Sequence, residues 1–168
     1  MVKEAFIIKI SDLLGLPVLE QSSCEQLGEV QEVMIYLSQA LVRALIITAT
    51  GWFTGKKILP IHDISLVRDT DLSIDEKEKL QPFEAAAYEG FADILDRPLM
   101  TDSGIRIGVV ADLSFDLATG SIEDYVISDG IVTDLVEGRR RLPFQLSRIF
   151  QADKIIVADD AAELLLPQ

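Results

Sequence analysis

The sequence is poor in the residues that form covalent cross-links and metal clusters. Its 168 residues include one cysteine, Cys24, and one histidine, His62. A lone cysteine excludes an intrachain disulfide and a zinc site built from several cysteines. We therefore expect a protein of a reducing compartment and predict a cytoplasmic location.

Long hydrophobic runs are absent as well. The apolar runs LVRALIITA (41–49) and ELLLP (163–167) are far shorter than the roughly 20 residues that a membrane-spanning helix requires. The sequence thus predicts no membrane span. Because 49% of the residues are nevertheless hydrophobic, the chain has enough apolar material for a folded core.

Positive charge is scarce. Lysine and arginine number 15 against 28 aspartate and glutamate residues, so the formal net charge is −13. A chain of this charge is repelled by phosphate backbones, and direct nucleic-acid binding is not expected. The expected partner is another protein, for which a basic surface would be favourable, or a second copy of the chain.

The chain contains two copies of one unit. Asp12–Val18 (DLLGLPV) aligns with Asp93–Leu99 (DILDRPL) at an offset of 81, and Leu27–Val33 (LGEVQEV) aligns with Ile107–Leu113 (IGVVADL) at an offset of 80. The tripeptide ILP at 58–60 aligns with RLP at 141–143 at an offset of 83. Small changes of offset that fall in loops are typical of an internal duplication.

Each copy reads as a series of short β-strands. In the second copy, apolar residues alternate with polar ones from Ile107 to Leu117, which predicts a strand with one core face and one solvent face, the latter carrying Asp112, Ser114 and Asp116. Gly120 then supplies a turn residue that accepts a positive φ. The first copy has Ala40 at that place. Since a left-handed alanine costs about 1 kcal/mol, we expect the first turn to differ.

Two further strands end at Leu-Pro, and closing strands follow them. Proline lacks the N–H that a central ladder needs, so each strand ends at Pro60 or Pro143. The sequence predicts two tandem six-stranded barrels, mainly β, with a short, partly helical linker and a short C-terminal helix. We expect the first barrel at residues 1–80, the linker at 81–92, and the second barrel with its tail at 93–168.

The repeated pattern resembles the PRC-barrel family, which includes the barrel of the photosynthetic reaction-centre H subunit and the C-terminal domain of the 16S ribosome maturation factor. The residues that carry the resemblance are Leu16–Val18, Leu27–Val30, Glu32–Val33 and Leu59–Pro60 in the first copy, and Arg97–Leu99, Ser103–Gly104, Ile107–Val110, Asp112–Leu113 and Leu142–Pro143 in the second. The resemblance implies an adaptor barrel that docks on other proteins. It implies no catalytic residue, metal or cofactor.

Catalysis has one candidate pair, His62 and Asp63, because a carboxylate can orient a histidine that titrates near neutral pH. Adjacent residues of an extended chain point to opposite faces, and the second copy has Gln145 and Leu146 at this place. We therefore interpret His62 as a surface or turn residue, and predict no catalytic residue, no metal ligand and no cofactor.

The candidate partner-binding residues form two cationic segments on an acidic chain: Trp52, Phe53, Lys56 and Lys57 in the first copy, and Arg139, Arg140 and Arg141 in the second. Tryptophan and arginine are favoured at interface hot spots. The alternative is that the aromatic residues close a barrel end while the cations pair with nearby carboxylates. The sequence predicts a non-enzymatic adaptor, and a ribosome-maturation or ribosome-associated factor is the alternative function.

Overall fold

A computed structural model describes residues 6–51, 54–85, 87–129 and 138–167. Strands dominate, and the two copies have the same order of elements. The first copy contains β1 (Ile7–Lys9), β2 (Pro17–Glu20), β3 (Gln26–Tyr36), β4 (Leu41–Ala49), β5 (Gly55–Pro60), β6 (Ile64–Val67), β7 (Leu72–Ile74) and β8 (Gln81–Pro82). The second contains β9 (Glu89–Gly90), β10 (Pro98–Thr101), β11 (Arg106–Asp116), β12 (Ile122–Ser128), β13 (Arg140–Pro143), β14 (Ser147–Phe150), β15 (Ile155–Val157) and β16 (Leu166–Pro167).

Helical structure is short. The α-helix α1 (Phe91–Ile94) opens the second copy, and 3₁₀ turns cover Ile10–Asp12, Leu37–Gln39, Ile61–Asp63, Lys77–Lys79, Phe144–Leu146 and Asp159–Leu164. The turns at Ile61–Asp63 and Phe144–Leu146 directly follow the two Leu-Pro strand ends, as the prolines predict. The mainly β fold is confirmed.

The strands form two curled sheets of matching topology. One has the order β6-β7-β2-β3-β4-β5-β8, and the other has the order β14-β15-β10-β11-β12-β13-β16. The predicted hairpins are β3–β4 and β11–β12, and the closing strands β7 and β15 lie parallel to β2 and β10. The duplication seen in the sequence is therefore a duplication of structure.

The two copies exchange their first strands. β1 pairs with β11 of the second copy, where Ile7 lies opposite Asp116. The equivalent strand β9 pairs with β3 of the first copy, where Glu89 lies opposite Ile35. The chain thus has an internal pseudo-twofold symmetry in which each half completes the sheet of the other.

Two equivalent carboxylates hold the exchanged segments. The Glu32 carboxylate accepts hydrogen bonds from the backbone N–H groups of Phe91 (2.9 Å) and Ala92 (3.3 Å) at the start of α1. At the matching position, Asp112 accepts the backbone N–H of Ser11 (3.3 Å) and the hydroxyl of the same serine. Each acid thus satisfies backbone donors at the first helical turn of the other copy, which would otherwise lack partners.

One hydrophobic core runs through both copies. Its buried members extend from Ile10, Leu45 and Leu59 in the first copy to Phe115 and Tyr125 in the second. Because shared burial and exchanged strands join the halves, they pack as one body, and the linker is not a swivel between independent barrels.

A smaller apolar cluster lies on the outer face of the first sheet. Met34, Ala44 and Ile46 are buried there, and Phe83 and Tyr88 from the stretch between β8 and β9 pack on them. The Lys56 ammonium lies 5.6 Å from the centre of the Phe83 ring. The stretch between the copies is therefore part of the packing of the first sheet.

The prediction of a solvent face on β11 is wrong. Asp112, Ser114 and Asp116 are 3%, 4% and 8% exposed. A bulge between Val110 and Asp112 breaks the period of two, and β1 lies alongside this end of β11. The buried Asp116 carboxylate accepts the backbone N–H of Phe6 (3.1 Å), which compensates its burial.

The expectation that the first hairpin turn differs is also wrong. Ala40 adopts φ 54° and ψ 39°, close to the φ of 77° at Gly120. The backbone carbonyl of Ala40 accepts the N–H of Ile122 (2.9 Å), and that of Gly120 accepts the N–H of Val42 (2.8 Å). This reciprocal contact between the hairpin tips holds alanine in a conformation that it otherwise avoids.

Close packing of neighbouring strands explains why glycine occupies positions 28 and 108 of the repeated pattern. A Cβ at Gly28 would lie 2.4 Å from the backbone oxygen of Thr48, and one at Gly108 would lie 2.7 Å from that of Ser128. The neighbouring strand approaches too closely for any side chain at these two positions.

Candidate interaction surfaces

The cationic residues of the first copy that the structure describes lie on β5. Lys56 is exposed and Lys57 is half-buried. Lys57 lies opposite Pro82 of β8 and lines a shallow hollow whose apolar walls include Leu27 and Leu80. Trp52 and Phe53 lie outside the described residues.

The cationic residues of the second copy lie at and before the start of β13, at an offset of 83 from those of β5. Arg139 is exposed, whereas Arg140 and Arg141 are half-buried. The Arg141 guanidinium lies 3.3 Å from the Asp124 carboxylate of the adjacent strand β12. At Arg141 the sequence-based alternative, in which the cations pair with local carboxylates, therefore holds.

Exposed leucines flank these arginines. Leu166 lies opposite Arg141 in the pairing of β16 with β13, and Leu164 and Leu166 are 43% and 44% exposed. We call Arg139, Arg140, Arg141, Leu164 and Leu166 the β13 surface, and Lys56 with Lys57 the β5 surface. Because β5 and β13 belong to different sheets, these residues form two symmetry-related surfaces and not one site.

Asp159, in the 3₁₀ turn that precedes β16, binds the turn after β10. Its carboxylate accepts the backbone N–H of Ser103 at 2.8 Å. This hydrogen bond, followed by one from the Ser103 side chain, lowers the pKa of the Asp159 carboxyl. The acid thus fixes the turn after β10.

His62 and Asp63 do not form an enclosed site. The His62 Nε2 atom lies 3.5 Å from the Asp63 carboxylate, and the histidine side chain is 80% exposed. The other Asp63 oxygen lies 3.3 Å from the Lys79 ammonium. These contacts fit the interpretation of His62 as a surface turn residue.

A buried arginine in the second copy has a structural explanation. Arg97 is 6% exposed, and its guanidinium bonds to the Glu89 carboxylate and to the Asp93 carbonyl, both at 3.0 Å. The first copy has Leu16 at this place. Arg97 therefore ties β9 to the copy from which it departs, and sequence reasoning missed this role.

Sequence reasoning also missed the surface at the meeting hairpin tips. Two hollows lie there, one beside Arg43 and His62, the other beside Glu123 and Asp124. Alignment of the copies at an offset of 80 sets Arg43 against Glu123, so the reversal of charge is visible in the sequence. That the two positions lie at one junction is not.

Within the described residues, no three histidine, cysteine, aspartate or glutamate side chains are grouped to hold a metal ion. Over the same residues, no helix has the length and apolar character needed to cross a bilayer.

Comparison with known proteins identifies the architecture. Curated protein sequences give no match. The family model of the PRC-barrel domain matches twice, at residues 7–80 and 88–164. The first match spans β1 to β7 and the second spans β9 to β15. Each match thus includes the strand that pairs with the sheet of the other copy. PRC-barrel domains are a protein-interaction type of module, and this chain, with two of them, belongs to the PRC-barrel family.

Proposed function

We propose that the chain is a non-enzymatic adaptor that binds another protein, chiefly through the β13 surface. The observation that carries the proposal is the pairing of Arg141 of β13 with the exposed Leu166 of β16, next to Arg139 and Arg140 in the chain and two residues after the exposed Leu164. Arginine is enriched at interface hot spots, and burial of the exposed leucine side chains by a partner would add a favourable hydrophobic contribution. The symmetry-related β5 surface, with Lys56 and Lys57, is proposed as a second contact, to which Trp52 and Phe53 of the preceding sequence contribute.

Charged groups contribute to the proposed binding both at long distance and in direct contact. The net charge of −13 attracts a partner with a basic surface over long distance. At contact, the arginines donate hydrogen bonds to carbonyl and carboxylate oxygens of the partner. The proposal places the adaptor in the cytoplasm, where the exposed thiol of Cys24 stays reduced.

The test is affinity purification of the tagged full-length protein, followed by reconstitution with the purified partner. We expect a stoichiometric protein partner, and a loss of affinity of about tenfold or more for Arg139→Ala combined with Arg140→Ala. Arg148→Ala is the matched control, because Arg148 is an exposed arginine on β14 of the same sheet. Lys56→Ala with Lys57→Ala tests the β5 surface in the same way.

Two results would contradict the proposal. Unchanged affinity in both double variants would exclude these surfaces, and recovery of the bare chain at low and moderate salt would contradict the adaptor function. If the stoichiometric partner is a ribosomal protein and the chain sediments with ribosomal particles, the alternative of a ribosome-associated factor replaces the general adaptor.

A further inference from the structure

The hairpin tips of the two copies meet on the internal pseudo-twofold axis. Val42 donates its N–H to the Gly120 carbonyl at 2.8 Å, and Ile122 donates its N–H to the Ala40 carbonyl at 2.9 Å. Leu41 lies opposite Ser121 in an isolated antiparallel bridge between the two bonds. Each contact on one side of the axis has its equivalent on the other.

Two hollows flank this junction at symmetry-related positions. The cationic hollow has Arg43 and His62 beside the buried Val42 and Ile61. The acidic hollow has Glu123 and Asp124 beside the buried Ile122 and Phe144. Since a twofold rotation leaves the position along its axis unchanged, both hollows lie at the same height along the axis, beside the hairpin tips.

The charged side chains of the hollows are accessible. Arg43 and Glu123 are exposed, and the side chain of His62 is 80% exposed. Arg43 is oriented by a hydrogen bond to the Gln39 side chain and by the Tyr36 ring, whose centre lies 5.0 Å from the guanidinium carbon. The surface around the hairpin tips therefore carries opposite charges at two positions that the fold makes equivalent.

Such a surface is complementary to itself. When a second copy is turned through 180° about the axis perpendicular both to the pseudo-twofold and to the line that joins the two hollows, its acidic hollow faces the cationic hollow of the first copy. The reverse pairing forms at the same time. The contact is isologous, so every favourable charge pair occurs twice. No comparable matching exists if both hollows carry the same charge.

We propose that the chain forms a homodimer through the surface around the hairpin tips, in which Arg43 of each copy lies against Glu123 of the other. The charge pairs lie at the surface, and the apolar floors of the hollows are already buried in the single chain. The dimer is therefore weak, so that it forms in a concentration-dependent way and is sensitive to changes of charge. This self-association uses a different surface from the proposed adaptor contact. Either one stands if the other fails.

The test is sedimentation equilibrium of the purified full-length protein over a range of concentrations. We expect a reversible monomer–dimer equilibrium for the unmodified chain. Arg43→Glu makes both hollows acidic and Glu123→Lys makes both cationic, so each variant alone should lose affinity for itself by about tenfold or more. An equimolar mixture of the two variants should form a heterodimer, since every charge pair is then complementary again.

Matched controls separate local charge from net charge. Arg106→Glu and Glu25→Lys alter exposed residues elsewhere, change the net charge by the same amounts, and should leave the dimer constant within about twofold. A chain that stays monomeric at all concentrations would overturn the proposal. So would a dimer that both charge reversals leave intact, or a mixture of the two variants that does not associate.

Discussion

At the residue scale, Ala40 and Gly120 show how the internal contact overrides local preference. Both have positive φ, and both carbonyls accept the equivalent bond across the junction. Glycine tolerates this conformation, whereas alanine is strained in it by about 1 kcal/mol. The sequence rule that alanine avoids the left-handed region was sound, but it could not account for a tertiary contact that outweighs the strain.

Ala40→Gly should stabilise the protein by about 0.5 kcal/mol. The relief of strain exceeds the entropy that the unfolded chain gains with an added glycine. Equilibrium unfolding in urea measures the difference, and an unchanged slope would show that the same surface unfolds. A loss of stability in this variant would contradict the assigned strain.

Gly120→Ala should destabilise the protein by at least about 2 kcal/mol. The new Cβ would lie 2.3 Å from the Val42 carbonyl oxygen, so the hairpin tips would have to separate. The same urea titration measures this loss, and Gly104→Ala serves as a control because Gly104 also has a positive φ but nothing within 4 Å of its added Cβ. Equal losses at Gly104 and Gly120 would mean that the close approach contributes nothing.

At the element scale, the exchanged segments depend on the equivalent acids Glu32 and Asp112. The Val-x-Asp/Glu part of the repeated pattern reads, in sequence, as one polar position on a strand. In the structure this acid bonds to the first helical turn of the other copy. The pattern is thus explained by packing between copies and not by chemistry at a site.

Glu32→Ala and Asp112→Ala should each lower the free energy of unfolding by about 1–2 kcal/mol, because backbone N–H groups lose a charged acceptor. Glu29→Ala is the control, since Glu29 is exposed on the same strand as Glu32, and its effect should stay within about 0.5 kcal/mol. Chemical unfolding of the three variants measures the differences. If Glu32→Ala and Glu29→Ala lose the same amount, the proposed capping role is wrong.

The strands and hairpins could be predicted from the sequence, whereas the exchange could not. Turn residues and the prolines at 60 and 143 mark strand ends locally. An offset of about 80 residues looks the same whether β1 joins its own sheet or that of the other copy. The bulge at Ala111 likewise adds a residue that period-two counting does not detect. The two basic segments could be recognised from the sequence by their lysine and arginine residues. Their location on two different sheets could not, because it depends on the fold.

At the scale of the whole molecule, the two PRC units form one body. The exchanged strands, the reciprocal acids and the shared core all cross the boundary between the copies. A unit deprived of the other would lose a strand, a partner for its capping acid, and part of its core. The two copies therefore form a covalently joined pseudo-dimer. Its free energy of unfolding is a property of the whole chain and not of either copy alone.

Differential scanning calorimetry of the unmodified chain and of Glu32→Ala tests this claim most directly. If the copies unfold together, we expect one transition with a ratio of calorimetric to van't Hoff enthalpy of about 1. We also expect Glu32→Ala to shift this whole transition to lower temperature, although Glu32 lies in the first copy and the N–H groups that it binds lie in the second. Two separable transitions, only one of which moves in the variant, would show that the copies unfold independently and would contradict a single body made of both copies.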